Sequence, residues 1–316
     1  MVSACVVFNQ VAGRGVTRER LEELLEPLRD AGWEIDVEAS DARGAATSLA
    51  HAAVSRGCDV VIAAGGDGTV NEVLQALVGE QAALGVLPLG TGNVWAHQTG
   101  IPMDLKGAVD VLHEGWLRRV DVGQAGDRFF LLMAGIGYDA AVASITRPTE
   151  KRRLGVLAYI VKGIGVGLGL SGTRLTIKTA HGDRVFRALM VVVGNSRTYG
   201  GPISVRIAPM ARMDDGLLDV VVFTGTGPLQ AVWHVIMLVL GRHLRNAGVT
   251  YLQGTEYVVE SEHTLLVQVD GDAIGSTPMR FRVQPAALSV VVPANPREDL
   301  FSKQAKPSRI GQALGA

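Results

Sequence analysis

Before Trp116 the chain alternates short aliphatic runs with segments of helical spacing, and no other feature restricts its fold as much. The runs 2–8, 34–38, 59–64 and 84–87 are rich in β-branched and aliphatic residues, and between them 17–30, 45–56, 70–78 and 105–114 repeat apolar residues at helical intervals. Alternation of this kind requires parallel pairing through right-handed crossovers, so the amino-terminal part is expected to form a doubly wound parallel α/β sheet. After Trp116 the texture changes to dense strands, at 119–122, 129–133, 174–179, 185–193, 218–223, 257–260, 265–269, 279–283 and 288–292. Glycine, proline and aspartate punctuate them, which argues for an antiparallel sandwich or barrel interrupted by two helical segments around 151–168 and 228–245. The expected organisation is an α/β domain over 1–117, a β-rich domain over 118–294, and a tail, 295–316, holding a short helix.

Composition narrows what such a chain does. Hydrophobic residues make up 47% against 19% charged, so a full core forms and a disordered or coiled-coil chain is excluded. Thirty basic side chains stand against thirty-one acidic ones, for a net charge of −1. No global field draws a polyanion, and no basic patch with interleaved aromatics is present, so no nucleic-acid partner is expected. Cys5 and Cys58 lie in apolar runs and are too few for a disulfide scaffold or a zinc site, which fits a reducing, cytoplasmic setting. His51, His97, His113, His181, His234, His243 and His263 show no metal spacing. The amino terminus lacks the basic and apolar regions of a signal peptide. The apolar stretches 154–170 and 228–244 are broken by Lys162, His234 and Arg242, short of the roughly 18 clean residues a spanning helix needs.

Glycine is over-represented, 39 residues of 316 against an average near 7%, and its placement carries chemistry. Gly65-Gly-Asp-Gly-Thr-Val-Asn71 follows a buried-strand pattern and opens a helix. Glycines there let the backbone approach a ligand, and a helix amino terminus aims free N–H groups at an anion, so this is a phosphate cradle. Asp67 within it would repel an anion unless Mg²⁺ or a substrate hydroxyl sits beside it. Pro88-Leu-Gly-Thr-Gly-Asn93 repeats the logic after the next strand, and the turn 9–15 adds a third contribution. All three would line the carboxyl edge of one parallel sheet, where such folds bind ligands. A P-loop is absent, and Gly163-Ile-Gly-Val-Gly-Leu-Gly169 lies inside an apolar helical segment, where it reads as packing.

These motifs, with Met133-Ala-Gly-Ile-Gly-Tyr-Asp139, Asp214-Asp-Gly-Leu-Leu-Asp219 and Val269-Asp-Gly-Asp272, fall in the order and spacing of the soluble lipid kinase family. It includes bacterial diacylglycerol kinases, with sphingosine and ceramide kinases as relatives, and the resemblance spans residues 2 to 293. It implies an ATP-dependent kinase for a lipid hydroxyl, most readily diacylglycerol, giving phosphatidic acid. By that resemblance Gly65, Gly66, Asp67, Gly68, Thr69, Val70, Asn71, Thr91 and Asn9 would hold ATP, and Ser40 would add a hydroxyl where the family usually shows threonine. Asp270 matches the general base, with Asp67 beside it handling catalytic Mg²⁺ in a cleft between the domains. Asp215, with the backbone carbonyls of Arg212 and Leu217, matches a structural Mg²⁺ loop, and Asp121 resembles the acid that ties this metal to the active site. Independently, phosphoryl transfer asks for backbone N–H groups, Mg²⁺ and one carboxylate base. Read without the resemblance, Asp270 serves equally as the turn-former of an Asp-Gly hairpin, the reading favoured for Asp272, and the 214–215 pair as a solvated turn.

Departures from the family pattern are local. Asn9-Gln-Val-Ala-Gly13 replaces the family's Asn-Pro-x-Ser-Gly, losing the proline and the serine hydroxyl, and Asp272 stands where the family has a glutamate. On the lipid side, Arg147, Lys151, Arg152 and Arg153 precede an apolar stretch, as suits either anionic headgroups at a membrane surface or the start of a solvated helix. Trp233, Ile236, Met237, Leu238 and Leu240 form a stripe that suits an acyl pocket or plain core. The expected setting is cytoplasmic with peripheral membrane association, and homodimerisation through exposed strands stays open. Phosphatidylglycerol or a sphingoid base as acceptor, NAD phosphorylation, and nucleotide or lipid sensing without turnover are the alternative readings.

Overall fold

The computed structural model describes residues 1–12, 15–137, 171–199, 205–294, 296, 300–302 and 308–309, and the chain divides into two compact units. The first comprises Met1–Val122, Met213–Asp215 and Pro285–Ala316, the second Gly123–Arg212 and Gly216–Gln284.

In the first unit β1 (Val2–Asn9), β2 (Trp33–Ser40), β3 (Val60–Gly65) and β4 (Ala83–Pro88) lie parallel in the order β4-β3-β1-β2. The central strands β3 and β4 are buried along their whole length, which is why they read as unbroken aliphatic runs. The helices α1 (Arg18–Asp30), α2 (Ala45–Ser55), α3 (Asp67–Leu77), α4 (Val94–Thr99) and α5 (Leu105–Glu114) connect them. Helix α1 packs with α5 and α2 with α3, the two-sided covering that right-handed crossovers give. In α1 the Thr17 side chain caps Arg20 N, and Leu21, Leu25 and Leu28 supply the buried stripe. Gly85 of β4 lets α5 close in, since a Cβ there would lie 2.7 Å from Leu112 Cδ2.

The second unit is antiparallel. It begins where β5 (Trp116–Ala125) turns into β6 (Arg128–Phe130), and Gly123 makes room for the Phe130 ring, which a Cβ would meet at 2.1 Å. Strand β9 (Gly182–Gly194) is its pivot. The first part of β9 pairs with β8 (Thr173–Thr179), and the rest with β7 (Met133–Gly137) on one edge and β12 (Leu218–Thr224) on the other. The short strands β10 (Thr198–Tyr199) and β11 (Val205–Arg206) pair with each other, and β13 (Val249–Gly254) borders β12. Strand β14 (Glu256–Ser261) joins β8 to β17 (Met279–Val292), while β15 (Leu266–Val269) and β16 (Asp272–Ser276) form a hairpin beside β7. Alternate residues fill the core: Val191 and Val193, Leu218, Val220 and Val222, Tyr257 and Val259, Val267 and Val269. The other face of β12 is also covered, with Phe223 edge-on to His234 of α6 (Pro228–Val239), ring centroids 5.4 Å apart.

An α/β unit followed by a β-rich one is the architecture the residue pattern implies; several element boundaries differ. Helix α3 begins at Asp67 rather than Val70, so Gly68 and Thr69 belong to its first turn. Helix α4, and strands β13 and β16, carry too little pattern to be read from sequence. The runs 279–283 and 288–292 are one strand despite Pro285: the chain kinks at Ala286, φ 47°, whose N–H turns to Asp121 Oδ1 at 2.7 Å instead of a ladder partner. The end of β17 pairs parallel with β4, Ser289 opposite Ala83. The helical pattern over 228–245 stops at Val239, with Gly241 at φ 65° and a 3₁₀ turn at His243–Arg245. In the tail the described residues show a strand, β18 (Ser308–Arg309), against β5. Segment 151–168, the basic cluster 147–153 and the glycine run 163–169 lie outside the described residues.

Candidate functional site

The register of the parallel sheet decides which sequence candidates meet. Asn9 is opposite Ser40, Phe8 opposite Ala64, and Gly65 opposite Pro88. The carboxyl ends of β2, β1, β3 and β4 therefore present Ser40, Asn9, Gly65 and Pro88 along one edge. Ser40, Thr69 and Asn71 are buried there, and Thr91 is exposed on the second turn.

The two glycine turns interlock. A Cβ on Gly90 would lie 2.5 Å from Gly66 Cα, and one on Gly65 would lie 2.2 Å from Thr69 Oγ1. Leu89 N–H donates to Gly65 O at 2.9 Å, and the Asn9 side-chain amide donates to Thr69 Oγ1 at 3.1 Å. Helix α3 starts at Gly66 without a side-chain cap, so its first N–H groups are presented at the sheet edge. Asn93, at φ 44°, locks the second turn, with Oδ1 accepting from Gly90 N and Nδ2 donating to Gly90 O. Asp67 Oδ1 accepts the N–H of Val94 at 2.6 Å, and Gly92 leaves space for Oδ2, which a Cβ would meet at 2.6 Å. The carboxylate that would oppose an anion is thus held by the amino terminus of α4, a contact the sequence reading did not anticipate.

In the second unit Asp270 and Gly271 are the two central residues of the β15–β16 hairpin, at φ 48° and φ 96°. Both angles are positive, as a type I′ turn requires, so Asp270 is a turn residue. It is also more than that. Its Oδ2 accepts from Leu131 N at 2.8 Å, its Oδ1 from Leu132 N at 3.0 Å and Met133 N at 2.9 Å, and its own N–H donates to Met133 O at 3.0 Å. Asn195 and Ser196, both fully buried, support that segment: their N–H groups donate to Leu132 O, and Asn195 Nδ2 donates to Leu131 O at 2.8 Å. Sequence reasoning passed over Asn195, whose only signal is a polar side chain ending an aliphatic strand. Asp272 opens β16, opposite Val269.

The loop proposed for metal divides between the units, Met213–Asp215 with the first and Arg212, Gly216 and Leu217 with the second. Within the first unit Met213 O accepts from Asp121 N at 2.6 Å, and Met213 N donates to Leu300 O at 3.1 Å. Asp214 Oδ1 accepts from Ser302 N at 2.5 Å. Its Oδ2 is buried without a hydrogen bond, facing the field of Arg118, whose guanidinium stacks on Phe301 at 4.7 Å. Burial holds Arg118 below the usual arginine range, with Asp214 opposing that shift. Among the described residues no three His, Cys, Asp or Glu side chains gather as a metal cluster. The donors that the resemblance implies, the Asp215 carboxylate and the carbonyls of Arg212 and Leu217, would all be oxygens, the kind Mg²⁺ takes.

Comparison with known proteins joins these features. Residues 3–125 match the diacylglycerol kinase catalytic domain, and residues 133–292 the YegS C-terminal NAD kinase beta sandwich-like domain. A diacylglycerol kinase of Staphylococcus aureus (strain JH9) is 31% identical over 283 residues, 88% of this chain and 88% of that protein. One of Bacillus subtilis (strain 168) is 29% identical over 305 residues, 95% and 99% of the two chains. The crystal structure of a diacylglycerol kinase from Bacillus anthracis str. Sterne has the same fold, with a TM-score of 0.73 and 24% identity over 93% of this chain and 97% of that one. With both halves matched in order across nearly its whole length, the chain belongs to the diacylglycerol kinase family and is a lipid kinase.

Proposed function

We propose that this kinase transfers the γ-phosphate of ATP to the hydroxyl of diacylglycerol, giving phosphatidic acid and ADP. The observation that carries the reading is the interlocked pair of glycine turns at the carboxyl edge of the sheet, beside the uncapped start of α3. Backbone N–H groups of residues 67–69 and the hydroxyls of Thr69, Thr91 and Ser40 would hold the phosphates, with Asn9 and Asn71 shaping the floor. Asp67 would face bound Mg²⁺, and Asp215 with the carbonyls of Arg212 and Leu217 would hold a structural one; the ions would supply neutralising charge to the phosphates.

Asp270 is the base in this reading. The lipid hydroxyl oxygen attacks the γ-phosphorus, the bond to the β–γ bridging oxygen breaks, and the hydroxyl proton passes to the Asp270 carboxylate. Its three backbone N–H partners hold that carboxylate in one orientation, and positioning is what a loose phosphoryl-transfer transition state needs from a base. The nucleotide half is taken as residues 1–117 and the lipid half as 118–294.

The test is transfer of labelled γ-phosphate, with Mg²⁺, to diacylglycerol, phosphatidylglycerol, ceramide and sphingosine in mixed micelles, with Asp270→Asn alongside. Product on diacylglycerol that falls at least about a hundredfold in Asp270→Asn is expected, the scale of general-base catalysis. Product on a different lipid alone, or an unimpaired variant, overturns the acceptor or the base respectively.

A further inference from the structure

The Asp270 carboxylate is held by a strip of backbone, and a second residue decides how that strip is turned. Leu131, Leu132 and Met133 run from the end of β6 into β7. Their successive N–H groups converge on the carboxylate, Leu131 N on Oδ2 at 2.8 Å, Leu132 N and Met133 N on Oδ1 at 3.0 and 2.9 Å. A peptide group is planar, so the Leu131 carbonyl moves rigidly with the Leu132 N–H, and the Leu132 carbonyl with the Met133 N–H. Whatever holds those two carbonyls therefore aims both N–H groups that Oδ1 accepts.

Asn195 holds them. Its Nδ2 donates to Leu131 O at 2.8 Å and its backbone N–H to Leu132 O at 2.9 Å, where Ser196 N adds a second donor at 3.0 Å. Strand β9 pairs antiparallel with β7, Met133 opposite Gly194, so Leu132 and Asn195 are the next pair along. A ladder pair that exchanged both bonds would return the Leu132 N–H to Asn195 O; here that N–H is turned to Asp270, and the Asn195 side chain takes up the carbonyl one residue earlier. Asn195 and Ser196 are fully buried, which keeps water from competing and strengthens each bond of the chain from amide to peptide to carboxylate.

We propose that Asn195 is a positioning residue for phosphoryl transfer: its side-chain amide fixes the Leu131–Leu132 peptide and, through it, the direction in which Asp270 meets the lipid hydroxyl. This role rests on Asp270 being the base of the proposed reaction. A residue that acts only through Asp270 loses its effect once Asp270 no longer takes a proton, whereas a residue that merely holds the fold costs the same in either background.

A double-variant cycle on the full chain separates the two. The values of kcat, and of KM for ATP and diacylglycerol, are measured in mixed micelles for wild type, Asn195→Leu, Asp270→Asn and the pair. Leucine keeps the volume and loses the amide; Asn195→Ser, one bond shorter, repeats the cycle should the leucine variant unfold. The expected result is a kcat lower by about tenfold to a hundredfold in Asn195→Leu, the scale of a misplaced reacting group, with both KM values within about twofold and the pair no slower than Asp270→Asn alone. Independently of turnover, the amide proton resonances of Leu132 and Met133, followed with isotope-labelled leucine and methionine, should move in Asn195→Leu as they do in Asp270→Asn. Val222→Ala, in the core of the same unit, is the control for lost stability: its urea midpoint should fall while kcat holds. An Asp270→Asn variant as fast as wild type removes the base, and this role with it. With Asp270→Asn slow, the base stands and the positioning role is overturned by a wild-type kcat in Asn195→Leu, by losses that multiply in the pair, or by unmoved Leu132 and Met133 resonances. A kcat that falls as far in Val222→Ala assigns the loss to stability and overturns it as well.

Discussion

Gly90 occupies a place where the backbone of a neighbouring turn leaves no room for a methyl group. The atom that a Cβ would strike is Gly66 Cα, 2.5 Å away, and backbone cannot swing aside as a flexible side chain can. Gly90→Ala is therefore expected to lower stability by about 2 kcal/mol, the scale of overpacking, and to weaken binding of an ATP analogue by pushing the turns apart. Gly68 is the control: nothing lies within 4 Å of its added Cβ, and it sits in the first turn of α3. Gly68→Ala should leave the urea midpoint unchanged or raise it slightly. Calorimetric titration and urea unfolding of both variants decide the matter; equal effects would mean that the interlock is not what the glycines serve. The glycine spacing was legible in the sequence because close approach of backbone selects glycine. The grip of Val94 N–H on Asp67 was not, since it depends on a left-handed Asn93 and a six-residue helix without periodicity. Cys5 makes a second prediction at this scale. Burial first, then the neighbouring Glu38 carboxylate, pushes its thiol up to about 12. The native protein should leave Cys5 unmodified by a thiol reagent at pH 8, and rapid native labelling would contradict that.

Among elements, the segment Met213–Asp215 is tied to the first unit by a tail that the sequence shows only as weakly periodic. Leu300 and Phe301 are buried, Leu300 O and Ser302 N bond Met213 and Asp214, and the Phe301 ring lies under Arg118. Removing that ring opens a cavity and strips the stacking partner from a guanidinium whose Nε and Nη1 are already buried without hydrogen bonds. Phe301→Ala is expected to cost about 3 kcal/mol, measured as a shift in the denaturant midpoint at constant slope. A shift smaller than about 0.5 kcal/mol, the size of an ordinary surface substitution, would show that the tail is not a packed element. Element identity elsewhere followed legibility of period. The strands β3, β4 and β12 read as unbroken aliphatic runs and the helices α1, α2 and α5 as apolar residues at helical spacing, whereas β16 spans Asp272 to Ser276 with a glycine inside it and no aliphatic run. For α6 the helical pattern was readable and the direction of its apolar face was not, because hydropathy alone does not say which side of a helix meets the sheet.

At the scale of the whole molecule two effects of pH meet near neutrality and are separated by what is measured. Thirty cationic and thirty-one acidic side chains leave a net charge of −1, with an isoelectric point near 6.7, so copies repel one another weakly at that pH. With the apolar stripe of Trp233, Ile236 and Leu240 exposed on α6, solubility should pass through a minimum near the isoelectric point, rise again by pH 8.5, and improve at the minimum in Trp233→Gln. Light scattering at several pH values follows this, and a flat profile would argue against it. Stability has a different origin. His243 is 2% exposed, its Nε2–H donates to Ile207 O at 2.9 Å, and its Nδ1 is buried without a partner. Burial lowers its pKa in the fold, since a proton on Nδ1 would be a buried donor with nothing to accept it. A histidine depressed in the fold contributes stability that is present above its unfolded value, roughly 6.5, and is lost as pH falls through the folded one. The urea midpoint should therefore fall below about pH 6.5 even in dilute samples that do not associate. His243→Gln keeps a donor for Ile207 O but no longer titrates, so its midpoint should vary less across the same range. A variant whose acid loss matches the wild type would assign the pH dependence to other groups.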